Sequence, residues 1–193
     1  MKNVSITRKT KETDIVLSLN VYGSGKSDIS SGNGFFDHML TLFAAHGRFD
    51  ITLKCAGDTY VDFHHSAEDI GIVLGQAFKE AYGDKKGINR YGFFILPMDE
   101  TLMLCAVDAS GRAHLSYTAD IPYEMIGDFP TELAEEFWLA FARASCFTIH
   151  IKELDGKNSH HIIEAMFKCM GRALAASAAP SGFEDVPSTK GAL

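Results

Sequence analysis

The chain has 193 residues, of which 46% are hydrophobic and 22% charged, and its formal net charge is −7. This length and composition exclude a wholly disordered chain and favour a folded protein with a sizeable core. The negative charge argues against a nucleic-acid binder, and no apolar run approaches the about 20 residues of a membrane span. Because the N-terminal segment also lacks the apolar stretch of a signal peptide, we expect a cytoplasmic protein without nucleic-acid or membrane partners.

The first half of the chain predicts strands, a short helix, a further strand and a long helix. An alternating apolar run follows Glu12 and ends in glycines, as is typical of a strand. In residues 34–47 the apolar side chains fall on one helical face. A β-rich stretch covers residues 49–55, and a helix with apolar residues at helical spacing begins at His64.

The second half repeats this order after Glu100, with a helix within residues 129–145, a β-rich stretch at 146–154 and a long helix from His160. The sequence therefore predicts an α+β fold made by internal duplication, in which two similar sheet-plus-helices halves pack as one unit. The predicted divisions are a first half, a second half and a C-terminal tail without periodicity, at residues 1–88, 89–177 and 178–193.

Each long helix begins with the pattern His-His-x-x-Glu, in residues His64, His65 and Glu68 and again in His160, His161 and Glu164. Residues three and four positions apart share a helix face, so each glutamate lies beside its histidines. Adjacent histidines point about 100° apart, because a turn has 3.6 residues, and they suit two different ions better than one. Imidazole with carboxylate is a ligand set for divalent Mn, Fe or Zn.

Alignment of the two short helices adds one polar position to each half. His38 corresponds to Glu136, and both flank the apolar stripe at the same angle. The repeat thus supplies eight candidate metal ligands, enough for two sites of four with positions left open. The neighbouring acids Asp37, Asp62 and Asp69 either orient the imidazoles or cap the helices.

A second group of polar residues is mainly basic, and three of its four basic residues lie near glycines. It is suited to holding a phosphate by charge-assisted hydrogen bonds, and it consists of Arg90, Arg112, Lys168 and Lys190 with the neighbouring Ser188 and Thr189. The P-loop and GxGxxG patterns of nucleotide sites are absent, as are the HExxH and GxSxG patterns of zincins and α/β-hydrolases.

Nine segments of the chain, in order from residue 8 to residue 193, resemble the imidazoleglycerol-phosphate dehydratase family. They are RKTKET, GFFDHML, HGRFD, DFHHSAEDIGIVLGQA, GINRYG, PMDETL, DASGR, GKNSHHIIEAMFK and PSTKGAL. The resemblance implies two halves of the ribosomal S5 domain 2-like type. It also implies self-assembly into a 24-subunit octahedral shell.

The resemblance further implies two Mn²⁺ ions per subunit at subunit interfaces, held by His38, His64, His65, Glu68, Glu136, His160, His161 and Glu164. Glu136 stands where some members of the family carry histidine. The substrate contacts implied by the resemblance are Glu12, Arg90, Arg112, Lys168, Ser188, Thr189 and Lys190. Three carboxylates remain open as the group that moves protons, namely Glu12, Glu68 and Glu164.

The reaction implied is the dehydration of D-erythro-imidazole-glycerol phosphate to imidazole-acetol phosphate in histidine biosynthesis. No carbonyl acidifies the proton to be removed, so the metals are expected to hold the ring as imidazolate and to favour a diazafulvene-like intermediate. Two alternatives remain open for the same ligands: a dinuclear metallohydrolase, and a metal-storing or structural shell. Neither needs a phosphate clamp, so dependence on the phosphate group distinguishes them from the dehydratase.

Overall fold

A computed structural model describes residues 3–191; the outermost residues of the first predicted half and of the predicted tail, 1–2 and 192–193, lie outside this part. Within it, the first half consists of β1 (Val4–Lys9), β2 (Thr13–Asn20), β3 (Ser27–Ser30), α1 (Gly34–Gly47), β4 (Asp50–Gly57) and α2 (His64–Tyr82). The second half repeats this order with a short ribbon inserted: β5 (Tyr91–Met98), β6 (Thr101–Asp108), β7 (His114–Thr118), β8 (Met125–Ile126), β9 (Phe129–Pro130), α3 (Leu133–Ser145), β10 (Thr148–Asp155) and α4 (Ser159–Ala178).

The two large sheets have the same topology. Their strand orders are β1-β2-β4-β3 and β5-β6-β10-β7, and in each sheet three strands are antiparallel while the last is parallel to its neighbour. The predicted α+β fold of two similar sheet-plus-helices halves is confirmed. The short strands β3 and β7, which precede the first helix of each half, escaped prediction. β3 has four residues and lacks a fully buried side chain, so it carries no apolar alternation for a sequence pattern to detect.

The four helices pack between the sheets and begin at the same end of the molecule. α2 packs on β1 and β2, and α4 packs on β5 and β6. Near the helix N-termini the ring of Phe36 lies 5.2 Å from that of Phe137 and 6.1 Å from that of Phe167. At the other end Tyr82 Oη donates a hydrogen bond to Leu174 O at 2.9 Å. The His-His pairs of α2 and α4 are therefore brought to one end of the fold.

The helices pair across the two halves: α1 packs with α4, and α3 packs with α2. Glycines allow this close approach, because a Cβ added at Gly75 would lie 2.6 Å from Phe141 O and one added at Gly171 would lie 2.7 Å from Phe43 O. The two contacts are equivalent in the duplication, so both helix pairs have the same register. None of the helices in the described part combines the length and apolar character that a bilayer crossing requires.

Candidate metal centre and phosphate-binding residues

Three of the eight predicted ligands converge at the N-termini of α1 and α4. His160 Nε2 lies 3.0 Å from Glu164 Oε2, and His38 Nε2 lies 3.5 Å from the same oxygen. Within residues 3–191 these three form the one group of three or more His, Cys, Asp or Glu residues whose ligand atoms lie within 4.8 Å of one another. The first turn of α4 is fixed by Asn158 Oδ1, which accepts from the backbone N–H groups of His160 and His161 at 2.9 and 3.3 Å.

Glu164 is the buried member of this group, with 8% of its surface exposed. Its Oε1 accepts a hydrogen bond from Lys168 Nζ at 2.5 Å, one turn further along α4. Burial raises the pKa of Glu164, but the hydrogen bonds from Lys168 and His160 outweigh it and the pKa is lowered overall. Glu164 is therefore held as a carboxylate, which is the form that binds a cation.

His65 is not a member of this group and is oriented by acids of its own half. Its Nδ1 lies 3.0 Å from Asp58 Oδ2, while its Nε2 lies 3.9 Å from Glu12 Oε1. The hydrogen bond to Asp58 and the charge of Glu12 raise the pKa of His65. A carboxylate on one ring nitrogen fixes the imidazole so that the other nitrogen is presented to a ligand, an arrangement common at metal sites.

His161 has the same arrangement in the second half. Its Nδ1 lies 2.8 Å from Glu100 Oε2, and its Nε2 lies 3.9 Å from Asp99 Oδ2. The hydrogen bond between His161 and Glu100 raises the pKa of His161 and lowers the pKa of Glu100 to about 2. The hydrogen bond from the backbone N–H of Asn158 also lowers the pKa of Glu100.

The sequence interpretation missed Asp58 and Glu100. Glu100 was detectable, because it repeats Glu12 at the start of the equivalent strand.

The other predicted ligands, His64, Glu68 and Glu136, are partly exposed on α2 and α3. Their side chains do not converge into a three-residue group within the described residues. The neighbouring acids proposed either to orient imidazoles or to cap helices contact other groups: Asp62 Oδ1 accepts from His64 N, Asp37 Oδ1 accepts from Ser31 N, and Asp69 is paired with Arg8 and Thr13. For these three the structure favours the capping and scaffolding role.

Two of the four predicted basic residues, Arg90 and Arg112, lie around Asp108 at the opposite end of α4. Arg90 donates through Nε and Nη2 to the Asp108 carboxylate at 2.7 and 3.1 Å and through Nη1 to Pro187 O at 2.8 Å. Arg90 is buried and lies over the Tyr91 ring, and its pKa is raised by Asp108. Arg112 Nη2 lies 3.7 Å from the same carboxylate, but its side chain is 67% exposed.

The C-terminal tail runs beside this arginine pair. Gly87 N donates to Asp185 O at 3.1 Å, Ser181 N donates to Gly87 O at 2.9 Å, and the contact of Arg90 with Pro187 follows. Ser188 then begins a turn in which its Oγ accepts from Lys190 N at 3.2 Å. Pro187, which is bound to Arg90, is therefore followed directly by Ser188, Thr189 and Lys190.

The two clusters are far apart within one chain. Arg90 N donates to Ser177 O near the end of α4, whereas His160 lies in its first turn. At 1.5 Å per residue these two positions on the helix are roughly 25 Å apart, and Lys168 lies roughly 14 Å from Ser177 along the axis. The chain thus places Lys168 with the metal ligands and separates it from the arginines.

These features define the class of protein: a duplicated α+β protein with a candidate His/Glu cation site at helix N-termini and a separate arginine cluster. The donors fit a divalent ion, since two ligand atoms about 2.1 Å from one ion and at right angles lie about 3 Å apart. The observed separations of 3.0 and 3.5 Å match this value.

Comparison with known proteins agrees with this class. A model of the imidazoleglycerol-phosphate dehydratase family matches residues 31–174. The imidazoleglycerol-phosphate dehydratase of Acetivibrio thermocellus is 55% identical over 193 residues, 100% of this chain and 99% of that protein. The crystal structure of the dehydratase from Staphylococcus aureus subsp. aureus N315 has a TM-score of 0.85 and 40% identity, over 93% of this chain and 100% of the other. The crystal structure of the enzyme from Pyrococcus furiosus has a TM-score of 0.84 and 39% identity, over 97% of this chain and 100% of the other.

The chain belongs to the imidazoleglycerol-phosphate dehydratase family. It is accordingly an enzyme, a hydro-lyase of histidine biosynthesis, and the predicted family and enzyme class are confirmed. Its family is metal-dependent and acts on a small molecule.

Proposed function

We propose that this enzyme dehydrates D-erythro-imidazole-glycerol phosphate to imidazole-acetol phosphate with two Mn²⁺ ions per subunit, as a cytoplasmic 24-subunit shell. The observation that carries the proposal is the group of His38, His160 and Glu164, accompanied by two histidines whose Nδ1 atoms are bound by carboxylates. This arrangement offers imidazole nitrogens in several directions from one end of the fold, as binding more than one cation requires.

The residues that would hold the ions are His38, His64, His65, Glu68, Glu136, His160, His161 and Glu164. Mn²⁺ bound there would supply a Lewis acid that draws electron density from the imidazole ring and so eases loss of the neighbouring proton. Asp58 and Glu100 hold the Nδ1 atoms of His65 and His161, and each Nε2 lies 3.9 Å from a second carboxylate, beyond hydrogen-bond distance. The imidazolate-type course of the reaction implied by the resemblance stays a prediction.

We place the active site between subunits. Within one chain the metal ligands and the arginine pair are roughly 25 Å apart along α4, which exceeds the reach of one small phosphorylated imidazole. His65 and His161 also lie outside the group around Glu164 and are held by acids of their own halves, so another subunit would complete their sites. Both features support a site assembled from more than one chain.

The phosphate would be bound by Arg90, Arg112, Lys168, Ser188, Thr189 and Lys190. Arg90 already uses three of the five N–H donors of a guanidinium, so its main effect is to position Asp108 and the tail. Arg112 is exposed and offers most of its donors to a ligand. Binding the phosphate away from the reacting carbon supplies orientation.

Three carboxylates stay candidates for moving protons. Glu164 is ionised and bound to Lys168, which suits a group that holds a cation more than one that exchanges protons. Glu12 is half-exposed and lies 3.9 Å from His65 Nε2, so a proton can pass between its carboxylate and a ligand beside that ring. Glu68 lies one turn after His64 on α2 and shares its helix face.

The proposed function is tested by a dehydratase assay with metal analysis. We expect about two Mn²⁺ per chain, loss of activity on chelation and its recovery when Mn²⁺ is returned, because the ligands act only with a cation bound. A substrate analogue without the phosphate should bind poorly. Full activity of the metal-free protein would contradict the proposal. Hydrolysis of unphosphorylated substrates would favour the metallohydrolase, and metal content without any turnover would favour the storage shell.

Truncation after Pro187 tests the tail. It removes Ser188, Thr189 and Lys190 but keeps the contact between Arg90 and Pro187 O, so we expect the fold, metal content and assembly to persist. Substrate affinity should fall by about 2–4 kcal/mol, the scale for losing a charged contact and its neighbours. Steady-state kinetics at fixed Mn²⁺ measure the change, with truncation after Gly191 as the control. Unchanged kinetics of the shorter chain would assign phosphate binding to Arg90, Arg112 and Lys168 alone.

A further inference from the structure

The duplication of the fold relates the two sets of metal ligands residue by residue. α1 and α3 both end at a residue in the left-handed conformation, Arg48 with φ 59° and Cys146 with φ 58°. These residues are 98 positions apart in the sequence, and so are His38 and Glu136. The structural ends of the helices therefore confirm the alignment in which Glu136 occupies the place of His38.

The packing between helices extends this equivalence to the long helices. Gly75 of α2 contacts Phe141 O of α3 as Gly171 of α4 contacts Phe43 O of α1. The two helix pairs share one register. The backbone positions of Glu136, His64 and Glu68 in the pair α3 and α2 are therefore equivalent to those of His38, His160 and Glu164 in the pair α1 and α4. The first set thus offers two carboxylates and one imidazole, where the second offers one carboxylate and two imidazoles.

The two sets also differ in charge. In the second set Glu164 is paired with Lys168 Nζ, which offsets its negative charge. The residue of α2 equivalent to Lys168 is Ile72, so the carboxylates of Glu68 and Glu136 have no lysine at that position. The first set is consequently richer in oxygen and more negative than the second.

On the proposed two-ion function, we infer that Glu136 is a metal-specificity residue that makes the two cation centres of this enzyme chemically unlike. The centre with Glu136, His64 and Glu68 discriminates less against hard, oxygen-preferring ions such as Mn²⁺ and therefore retains Mn²⁺ to higher Zn²⁺ concentrations. The centre with His38, His160 and Glu164 takes nitrogen-preferring ions such as Zn²⁺ more readily. The reason is that imidazole favours Zn²⁺ over Mn²⁺ strongly, whereas carboxylate oxygen suits Mn²⁺.

A metal competition on the assembled protein tests this inference. The Mn²⁺-loaded protein is equilibrated with rising Zn²⁺, and both metals are counted per chain by mass spectrometry after removal of free ions. We expect Mn²⁺ to leave in two steps of one ion per chain, separated by at least about tenfold in free Zn²⁺. Glu136→His should bring the second step to the Zn²⁺ concentration of the first. Glu135→His places the same change on the neighbouring, exposed residue of α3 and should keep two steps.

The outcomes separate this inference from the proposed function. Two bound Mn²⁺ that leave the unmodified protein in a single step overturn the inference and leave the two-ion function intact. Two steps that persist in a folded Glu136→His variant overturn the role of Glu136. A protein that binds no Mn²⁺ overturns the proposed function and the inference with it. The measurement on the unmodified protein shows whether the two centres differ in metal preference, even if the Glu136→His variant fails to assemble.

Discussion

Replacing His161 by alanine is expected to abolish dehydratase turnover while the chain remains folded. The His161 imidazole lies in the first turn of α4. Among the described residues, Glu100 is the one hydrogen-bond partner of this ring. Glu100 keeps the hydrogen bond from Asn158 N and is partly exposed, so water satisfies the freed oxygen. The loss should fall on metal binding, and we expect kcat to drop on the order of a thousandfold or more, since a bound ion supplies several kcal/mol of transition-state stabilisation.

The measurement combines steady-state kinetics, metal counts per chain and thermal unfolding. His150→Ala is the matched control, because His150 is an exposed histidine on β10 outside the predicted ligand set. We expect the control to keep metal and activity. A His161→Ala enzyme with a full metal complement and normal kcat would remove His161 from the site, and a collapse of thermal stability would show instead that its role is structural.

Two inactive variants are expected to regain activity when they assemble together. His160→Ala damages the metal ligands at the start of α4, and Arg112→Ala damages the phosphate cluster at its other end. Because these groups are roughly 25 Å apart along the helix within one chain, a complete site in the mixed assembly takes its metal ligands from one variant and its arginine from the other. Random mixing of equal amounts restores up to about a quarter of the sites if each is built from two chains.

Co-expression with two different affinity tags, followed by purification through both, supplies the mixed assembly for the assay. The separately assembled variants, combined afterwards without exchange of chains, are the control and should stay inactive. Arg112 is suited to this test because its side chain is 67% exposed and its removal leaves Asp108 paired with Arg90. Activity of the co-expressed protein no higher than the sum of the two variants would contradict a site shared between chains.

The sequence by itself determined the features that depend on local pattern. The apolar faces of the helices, the runs of the longer strands and the repeated His-His-x-x-Glu pattern all depend on residues within a few positions of one another. Comparison of the two repeats then aligned His38 with Glu136, and the ends of α1 and α3 confirm this alignment. The duplicated α+β fold followed from the same repeat, because equivalent patterns form equivalent elements.

The tertiary structure decided which of these elements meet. His38 lies beside His160 and Glu164 of the other half because α1 packs with α4, and the close contact at Gly171 fixes that pairing. The packing of α4 on β5 and β6 places the arginine pair at the far end of α4 and brings Glu100 to the ring of His161. Helical and strand periods specify which face of an element is apolar, but the partner of that face and the register between them depend on side-chain packing between distant segments.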